Sequence, residues 1–275
     1  MSSERVSTSQ SHMNYCCVDL GDCSIFYTQT GSESDSTPIL FLHGWGISAE
    51  PYHKILKLLA QQHRVLAPDL PSFARSSYSK LIPDYDSYAK FLLSSLDTLN
   101  LQHVHLIGHS FGGGIAIALS ALAPHRVRSL ILVDSTGLPC VSIPELLPRR
   151  ALEMTAQLLL PGLRLKLVDI PQIFSSNLLF NTGNVIQALL LALQVDLKHL
   201  LPEIQASCLL LWSEKDLTTP LTAAREMAAI IPNSSLTIVE EGFHEWALWY
   251  PEKFTSTMLD FIRQVERADA IANHS

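Results

Sequence analysis

The sequence predicts an α/β protein with a mostly parallel central sheet and helices on both faces. Three observations predict it. Short apolar runs alternate with segments of helical spacing along most of the chain. Several runs are apolar at every position, as strands covered on both faces must be. The alternation also resumes after one long strand-free stretch, as expected when a single sheet carries an insertion. With 275 residues and 47% hydrophobic side chains there is ample apolar material for a core, and 16% charged residues excludes the disordered and coiled-coil classes.

Residues 1–13 are Ser-rich and read as a flexible tail. Tyr15–Leu20 and Cys23–Thr28 flank Gly21-Asp22 and read as a hairpin, which adds antiparallel strands at one edge. Gly31–Thr37 is a loop, and Pro38–His43 a strand ending at Gly44. Between Tyr52 and Gln62, residues Tyr52, Ile55, Leu58 and Leu59 share one helical side, and Arg64–Pro68 is the next strand. Tyr88, Phe91, Leu92, Ser95, Leu96 and Leu99 line one face of a longer helix. Val104–Ile107 is a strand of the fully buried kind, followed by Gly108 and a small-residue helix from Phe111 to Leu122; Ser129–Val133 is a further strand.

Residues 137–205 break the rhythm. They show helical periodicity, punctuated by Pro148, Pro161, Pro171 and Pro202, and no convincing strand. Strand and helix then return at Cys208–Trp212, Leu221–Ile230 and Leu236–Val239. A last helix turns Phe254, Met258, Phe261, Ile262 and Val265 inward. The organisation expected is a core of residues 14–136 and 206–267, a helical insertion at 137–205 and a C-terminal tail at 268–275.

Composition narrows the function. Nineteen basic against 26 acidic side chains give a net charge of −7, which argues against nucleic acid. The cysteines, Cys16, Cys17, Cys23, Cys140 and Cys208, are odd in number and form no C-x-x-C, so neither a disulfide framework nor a zinc site is expected. The polar opening MSSERVSTSQSHMN lacks the apolar stretch of a secretory signal. Runs such as Leu189–Leu193 are too short to span a bilayer. A soluble, cytoplasmic protein with reduced thiols is the expectation.

The chemistry lies in Gly108-His109-Ser110-Phe111-Gly112, a G-x-S-x-G that follows a buried strand and opens a helix. A serine on so sharp a turn needs small neighbours, which glycine at 108 and 112 supplies. A hydroxyl is a poor nucleophile at neutral pH and needs an imidazole to take its proton. His244 follows the last strand and Asp216 closes LLLWSEKD after another, so each of the three falls just beyond a strand, where open α/β sheets place their chemistry. Asp134, after Ser129–Val133, is the competing acid; Glu214 reads as solvent-facing. His43 and His109 read as packing residues, and His103, His105, His125 and His199 have no acid or cysteine at ligand spacing. No metal or cofactor site emerges.

These features together resemble the α/β-hydrolase fold superfamily over nearly the whole chain outside 1–13 and 137–205. The family's nucleophile, acid and histidine follow the order Ser110, Asp216, His244. The resemblance implies an oxyanion hole from the backbone N–H groups of Trp45, in His43-Gly44-Trp45-Gly46, and Phe111. It also implies that 137–205 is a lid. Leu158, Leu159, Leu160, Leu178, Leu179, Phe180, Leu189, Leu190, Leu191 and Leu193 make the insertion apolar on more than one side: either one face rests on the core and another lines an acyl pocket, or the leucines only hold the lid together. Trp45, Phe111, Trp246 and Trp249 are candidates for aromatic wall, with some of them expected to be simply core. The chain departs from the family's D-x-P-G-x-G-x-S loop, with Ser72 and Ala74 in place of glycines in Asp69–Ser76, and the acid loop begins with Ser213 where glycine is frequent.

Serine in the elbow suits acyl transfer rather than the halide or epoxide chemistry of aspartate-bearing relatives. The resulting expectation is a cofactor-independent carboxylic ester hydrolase acting on a small molecule with an apolar portion. A C–C bond hydrolase of a vinylogous diketone is the enzymatic rival, toward which Trp246 points. A non-catalytic binding protein on the same scaffold is the rival from another class. Oligomeric state is not legible in the sequence.

Overall fold

The structure, a computed structural model, describes residues 13–32, 36–159, 175–177 and 179–272. Among these, nine strands form one sheet. They are β1 (Asn14–Asp19), β2 (Cys23–Thr30), β3 (Ile39–Leu42), β4 (Val65–Pro68), β5 (Ser77–Tyr78), β6 (Val104–His109), β7 (Val127–Val133), β8 (Ser207–Ser213) and β9 (Ser234–Val239). The order across the sheet is β1-β2-β4-β3-β6-β7-β8-β9, with β5 paired to β2. β3, β4 and β6 through β9 are parallel, and the leading hairpin pairs antiparallel with β4. The short β5 carries no apolar signal and was not expected.

The sheet is covered on both faces. All six residues of β6 are buried, but they divide by parity. Leu106 joins the apolar cluster of Tyr88, Leu92, Ile115 and Trp212, whereas Ile107 joins that of Tyr52, Ile55, Phe254 and Ile262. Helices Tyr85–Thr98, Phe111–Leu122 and Leu221–Ile230 supply the first cluster, and His53–Leu59 and Pro251–Ala272 the second. Each fully buried Leu or Ile contributes about 1.5–3 kcal/mol, so the period-2 division of the buried strand's apolar residues holds the layers in place. The helix starting at Tyr85 begins a turn before its apolar stripe because Asp84 caps it, accepting from Ser87 N at 2.8 Å.

The final helix runs to Ala272, so helix occupies most of the stretch read as a C-terminal tail from 268. The leading tail, except for residue 13, lies outside the described residues. Between β7 and β8 stand helices Ile143–Leu159 and Thr182–Gln194 and a 3-10 turn at Lys198–Glu203, with no strand among the described residues. No helix among them is long and apolar enough to cross a membrane.

Chain direction across the sheet reverses between β3 and β6: the chain passes from β3 to β4 on one side, then returns to β6 on the other. The segments leaving β3 and β6 therefore diverge and open a crevice at the strand C-termini, where α/β sheets bind ligands.

Candidate active site

Ser110 stands between β6 and the Phe111–Leu122 helix with φ 54 and ψ −119. An L residue held there costs on the order of 1–3 kcal/mol and must be over-determined by its surroundings. The surroundings are specific. Ser110 N donates to Val133 O at 2.9 Å, and Ser110 O accepts from Gly113 N at 2.9 Å and Thr136 N at 3.0 Å. A Cβ at Gly108 would lie 2.5 Å from Gly112 O, and one at Gly112 2.5 Å from Leu42 O. The glycines flanking the serine are thus forced by close backbone approach.

His244 follows β9, and its ring reaches across the strand ends. Nε2 lies 2.9 Å from Ser110 Oγ and Nδ1 2.7 Å from Asp216 Oδ2. The structure therefore brings together the three residues expected from the sequence. Asp216 is itself oriented: its Oδ1 accepts from Thr218 N at 2.7 Å and Thr219 N at 2.8 Å, and Oδ2 accepts from Thr219 Oγ1 at 2.7 Å. With these donors on the carboxylate, the consistent imidazole tautomer donates Nδ1–H to Asp216 and leaves Nε2 to face the hydroxyl. Burial alone would depress the imidazole pKa, but the adjacent Asp216 carboxylate outweighs it and raises His244 to about 9.

The backbone of His244 is clamped from two sides. His109 donates Nε2–H to His244 O at 3.1 Å, and its Nδ1 accepts from the Tyr52 hydroxyl at 2.7 Å. Burial, followed by His244 itself, pushes His109 down to about 4, so it is neutral and can play both parts. His109 was read from the sequence as packing only; its second role needs contacts 57 and 135 residues away. On the other side His244 N donates to Glu153 Oε1 at 2.8 Å. Sequence reasoning missed Glu153, because one glutamate on an amphipathic helix carries no distinguishing signal.

The competing acid is occupied elsewhere. Asp134 is fully buried at φ 42, and its carboxyl meets Ser213 N at 2.7 Å and Ser213 Oγ at 2.8 Å. Ser213 Oγ also lies 2.9 Å from Phe243 O. The one hydroxyl is thus shared between the Asp134 carboxyl and the Phe243 carbonyl. Burial, then the charge of Asp216, raises the Asp134 pKa well above the usual carboxylate range. Serine in place of the frequent glycine thus ties the acid loop to the loop before His244. Glu214 is exposed and accepts from Glu241 N at 3.0 Å.

On the other wall, the loop after β3 carries Trp45. His43 beneath it donates Nδ1–H to Gly44 O at 2.8 Å and accepts Leu70 N–H at Nε2 at 2.9 Å. Burial lowers its pKa, keeping the neutral ring this pattern needs. Buried Asp69 pairs with Arg75 through Nε at 2.6 Å and Nη2 at 3.0 Å. Ser72 and Ala74 retain positive φ, 66 and 48, so the loop keeps a glycine-type backbone without its glycines. Asn177, buried, accepts Ala74 N–H at 2.6 Å and donates to Gly46 O at 3.1 Å. The Trp45 indole N–H donates to Val185 O at 2.7 Å. The segment 137–205 is thereby fastened to the loops on this rim.

Of the four aromatic candidates, Phe111 and Trp246 are core: Phe111 packs among Tyr85, Tyr88 and Phe73, and Trp246 lies edge-on to Phe254 at 5.3 Å in the cluster on the far face. The insertion also does not bury two apolar faces throughout, since Leu179 is 75% and Phe180 82% exposed. Leu160 and Leu178 lie outside the described residues, as do the side chains of Leu158 and Leu159.

Among the described residues two clusters hold ligand atoms within 4.8 Å of one another: His109, Asp134 and His244, and His63, His105 and Glu266. In the first, both histidines are already committed to Tyr52, Ser110 and Asp216. In the second, His105 engages Ser129 Oγ at 2.7 Å and Glu266 at 3.4 Å, in keeping with a core histidine.

The sequence model of the alpha/beta hydrolase fold matches residues 37–159. A 2-hydroxy-6-oxononadienedioate/2-hydroxy-6-oxononatrienedioate hydrolase of Pseudomonas putida is 30% identical over 275 aligned positions, which cover 88% of this chain and 92% of that one. Among solved structures, a thermophilic esterase from Thermogutta terrifontis superposes with a TM-score of 0.73 at 24% identity, covering 94% of this chain and 99% of its own. An esterase from Exiguobacterium antarcticum gives 0.72 at 22%, covering 88% and 96%. At these identities the structural likeness is one of fold.

Proposed function

The chain belongs to the α/β-hydrolase family, and on that premise we propose that it is a serine hydrolase cleaving a carboxylic ester through an acyl-enzyme intermediate. In this reading Ser110 Oγ attacks the carbonyl carbon while His244 Nε2 takes its proton. His244 then returns that proton to the leaving alcohol. Water repeats the cycle on the acyl-serine, and Asp216 holds the ring and stabilises the imidazolium. The backbone N–H groups of Trp45 and Phe111, on the two sides of the crevice between β3 and β6, receive the oxyanion. Losing one such donor typically costs about 2.7–4 kcal/mol of barrier. A hydrophobic acyl or alkyl group on the substrate is supported by the apolar composition of 137–205, which we take as the lid.

The reading is carried by one observation, the 2.9 and 2.7 Å contacts that join Ser110, His244 and Asp216 across 134 and 28 residues of sequence. A panel of p-nitrophenyl esters of increasing acyl length tests it. Hydrolysis that rises with acyl length and vanishes in Ser110→Ala supports it; activity unaffected by that substitution contradicts it.

C–C bond cleavage of a vinylogous diketone is the second reading, favoured by the 30% identical relative. Trp246 no longer supports it, because that side chain is core. Turnover of a dienoic diketone without ester hydrolysis would establish it. A non-catalytic binding protein, the third reading, predicts a Ser110 inert to fluorophosphonate. The five cysteines are free thiols, which supports a cytoplasmic, reducing setting.

A further inference from the structure

We propose that Glu153 is a positioning residue that makes assembly of the Ser110–His244–Asp216 relay conditional on seating of the Ile143–Leu159 helix against the strand ends. This rests on the hydrolase reading above and adds a regulatory contact to the same site.

Glu153 is fully buried and sits on the side of the helix that meets the two catalytic loops. Its Oε1 accepts His244 N–H at 2.8 Å, and its Oε2 accepts from the Thr218 hydroxyl at 3.2 Å. Thr218 lies two residues beyond Asp216 and donates its own N–H to Asp216 Oδ1 at 2.7 Å. One carboxylate therefore holds both the base loop and the acid loop. Arg150, one helical turn earlier, donates Nη1 to Glu153 at 3.0 Å and to Thr218 Oγ1 at 3.2 Å, and pairs with Glu245 through Nη2. The same turn of helix thus touches His244, Glu245 and Thr218.

A water molecule would satisfy one amide N–H without burying a charge. A buried carboxylate needs a compensating cation and further hydrogen bonds, and the helix supplies both. His109 fixes the His244 carbonyl from the core side, where β6 is buried along its whole length. Glu153 fixes the amide from a segment that is not part of the sheet. If the helix lifts, the amide loses its acceptor and the Thr218 hydroxyl loses its partner, while the His109 contact remains. The imidazole then keeps its place near the elbow but loses the orientation that joins Ser110 to Asp216. A misplacement of this kind costs rate without weakening substrate contacts.

The test compares wild type, Glu153→Gln, Glu153→Ala and Thr218→Val. It follows labelling of Ser110 by a small alkyl fluorophosphonate, steady-state hydrolysis of a short p-nitrophenyl ester, and the downfield proton signal of His244 Nδ1–H. In Glu153→Ala the labelling rate and kcat should fall roughly 10- to 100-fold with KM within about 3-fold, and the imidazole signal should broaden. Glu153→Gln, which keeps an oxygen facing His244 N–H, should recover to within about 5-fold of wild type, and Thr218→Val should lose about 3- to 10-fold. Glu153→Ala labelling at the wild-type rate overturns the proposal. So does an equal loss in Glu153→Ala and Glu153→Gln, the pattern of a helix that is merely destabilised. If Glu153→Ala does not fold, Glu153→Gln and Thr218→Val decide: the small graded losses with a retained imidazole signal support it, and unchanged rates in both overturn it. A wild type that carries the imidazole signal but never labels overturns the hydrolase reading instead.

Discussion

The strand-end loops of the core and the segment 137–205 meet at His244, and they hold it by different means. On the core side, neutral His109 reaches the carbonyl from rigid β6, backed by Tyr52 and two buried clusters. On the other side, the buried Glu153 carboxyl reaches the amide from a helix outside the sheet and pairs with Arg150. The first arrangement is a consequence of the fold and persists whenever the sheet is formed. The second is a polar latch, whose strength is set by a few charge-assisted hydrogen bonds. Residues placed by strand ends are thus built into folding, whereas the contacts made from Ile143–Leu159 rest on a few polar groups outside the sheet.

Substitutions on the two sides should separate along this line. The largest effect is expected on the core side: Ser110→Ala or His244→Ala should lower kcat about 10⁴- to 10⁶-fold with unfolding unchanged, measured on the preferred ester. Asp216→Asn should follow at about 10⁴-fold, since the amide favours the wrong imidazole tautomer. It should also move the pH profile. Asp216 raises His244 to about 9, and only the neutral ring can accept the serine proton. In wild type, kcat/KM should therefore rise with pH through an inflection near 9, and in Asp216→Asn that inflection should move to lower pH. A wild-type profile with no alkaline-shifted inflection would break the assignment of the core side.

Smaller effects sharpen the insertion side. Asn177→Ala removes the acceptor of Ala74 N–H and the donor to Gly46 O, and should destabilise by about 1–3 kcal/mol in urea unfolding. A loss there matching that of Gly112→Ala, whose Cβ would strike the Leu42 and His43 carbonyls, would erase the proposed difference between the core and the segment 137–205. Smallest is Ala74→Gly. It relieves an L residue at φ 48, at the cost of a more flexible unfolded chain, and should stabilise by about 0.5–1 kcal/mol.

Legibility in the sequence followed the same division. Strands such as β6 and β8 announce themselves by short runs dominated by apolar residues, as burial on both faces favours, and the elbow because close backbone approach leaves only glycine at 108 and 112. Ser110, Asp216 and His244 were readable because strand ends order them along the chain. Glu153, Asn177 and the second role of His109 were not. Each acts through polar contacts with residues distant in sequence, and a single glutamate, asparagine or histidine looks the same whether it meets solvent or a buried amide. Whether Trp246 faced the crevice or the core was not legible either: an aromatic beside His244 is placed by the turn it sits on, and this turn points it into the core. The left-handed angles at Ser72 and Ala74 were hidden too, because loop contacts rather than residue type impose them.

The central claim is that Ser110, His244 and Asp216 act as one proton relay. The most direct test is the rate of fluorophosphonate labelling in the folded protein as a function of pH, with the modified residue located by mass spectrometry. The account predicts stoichiometric modification of Ser110 alone, at a rate that climbs with the neutral form of His244 and collapses in Asp216→Asn. A Ser110 that stays unmodified in folded protein, or labels at a rate indifferent to pH and to Asp216, would contradict it.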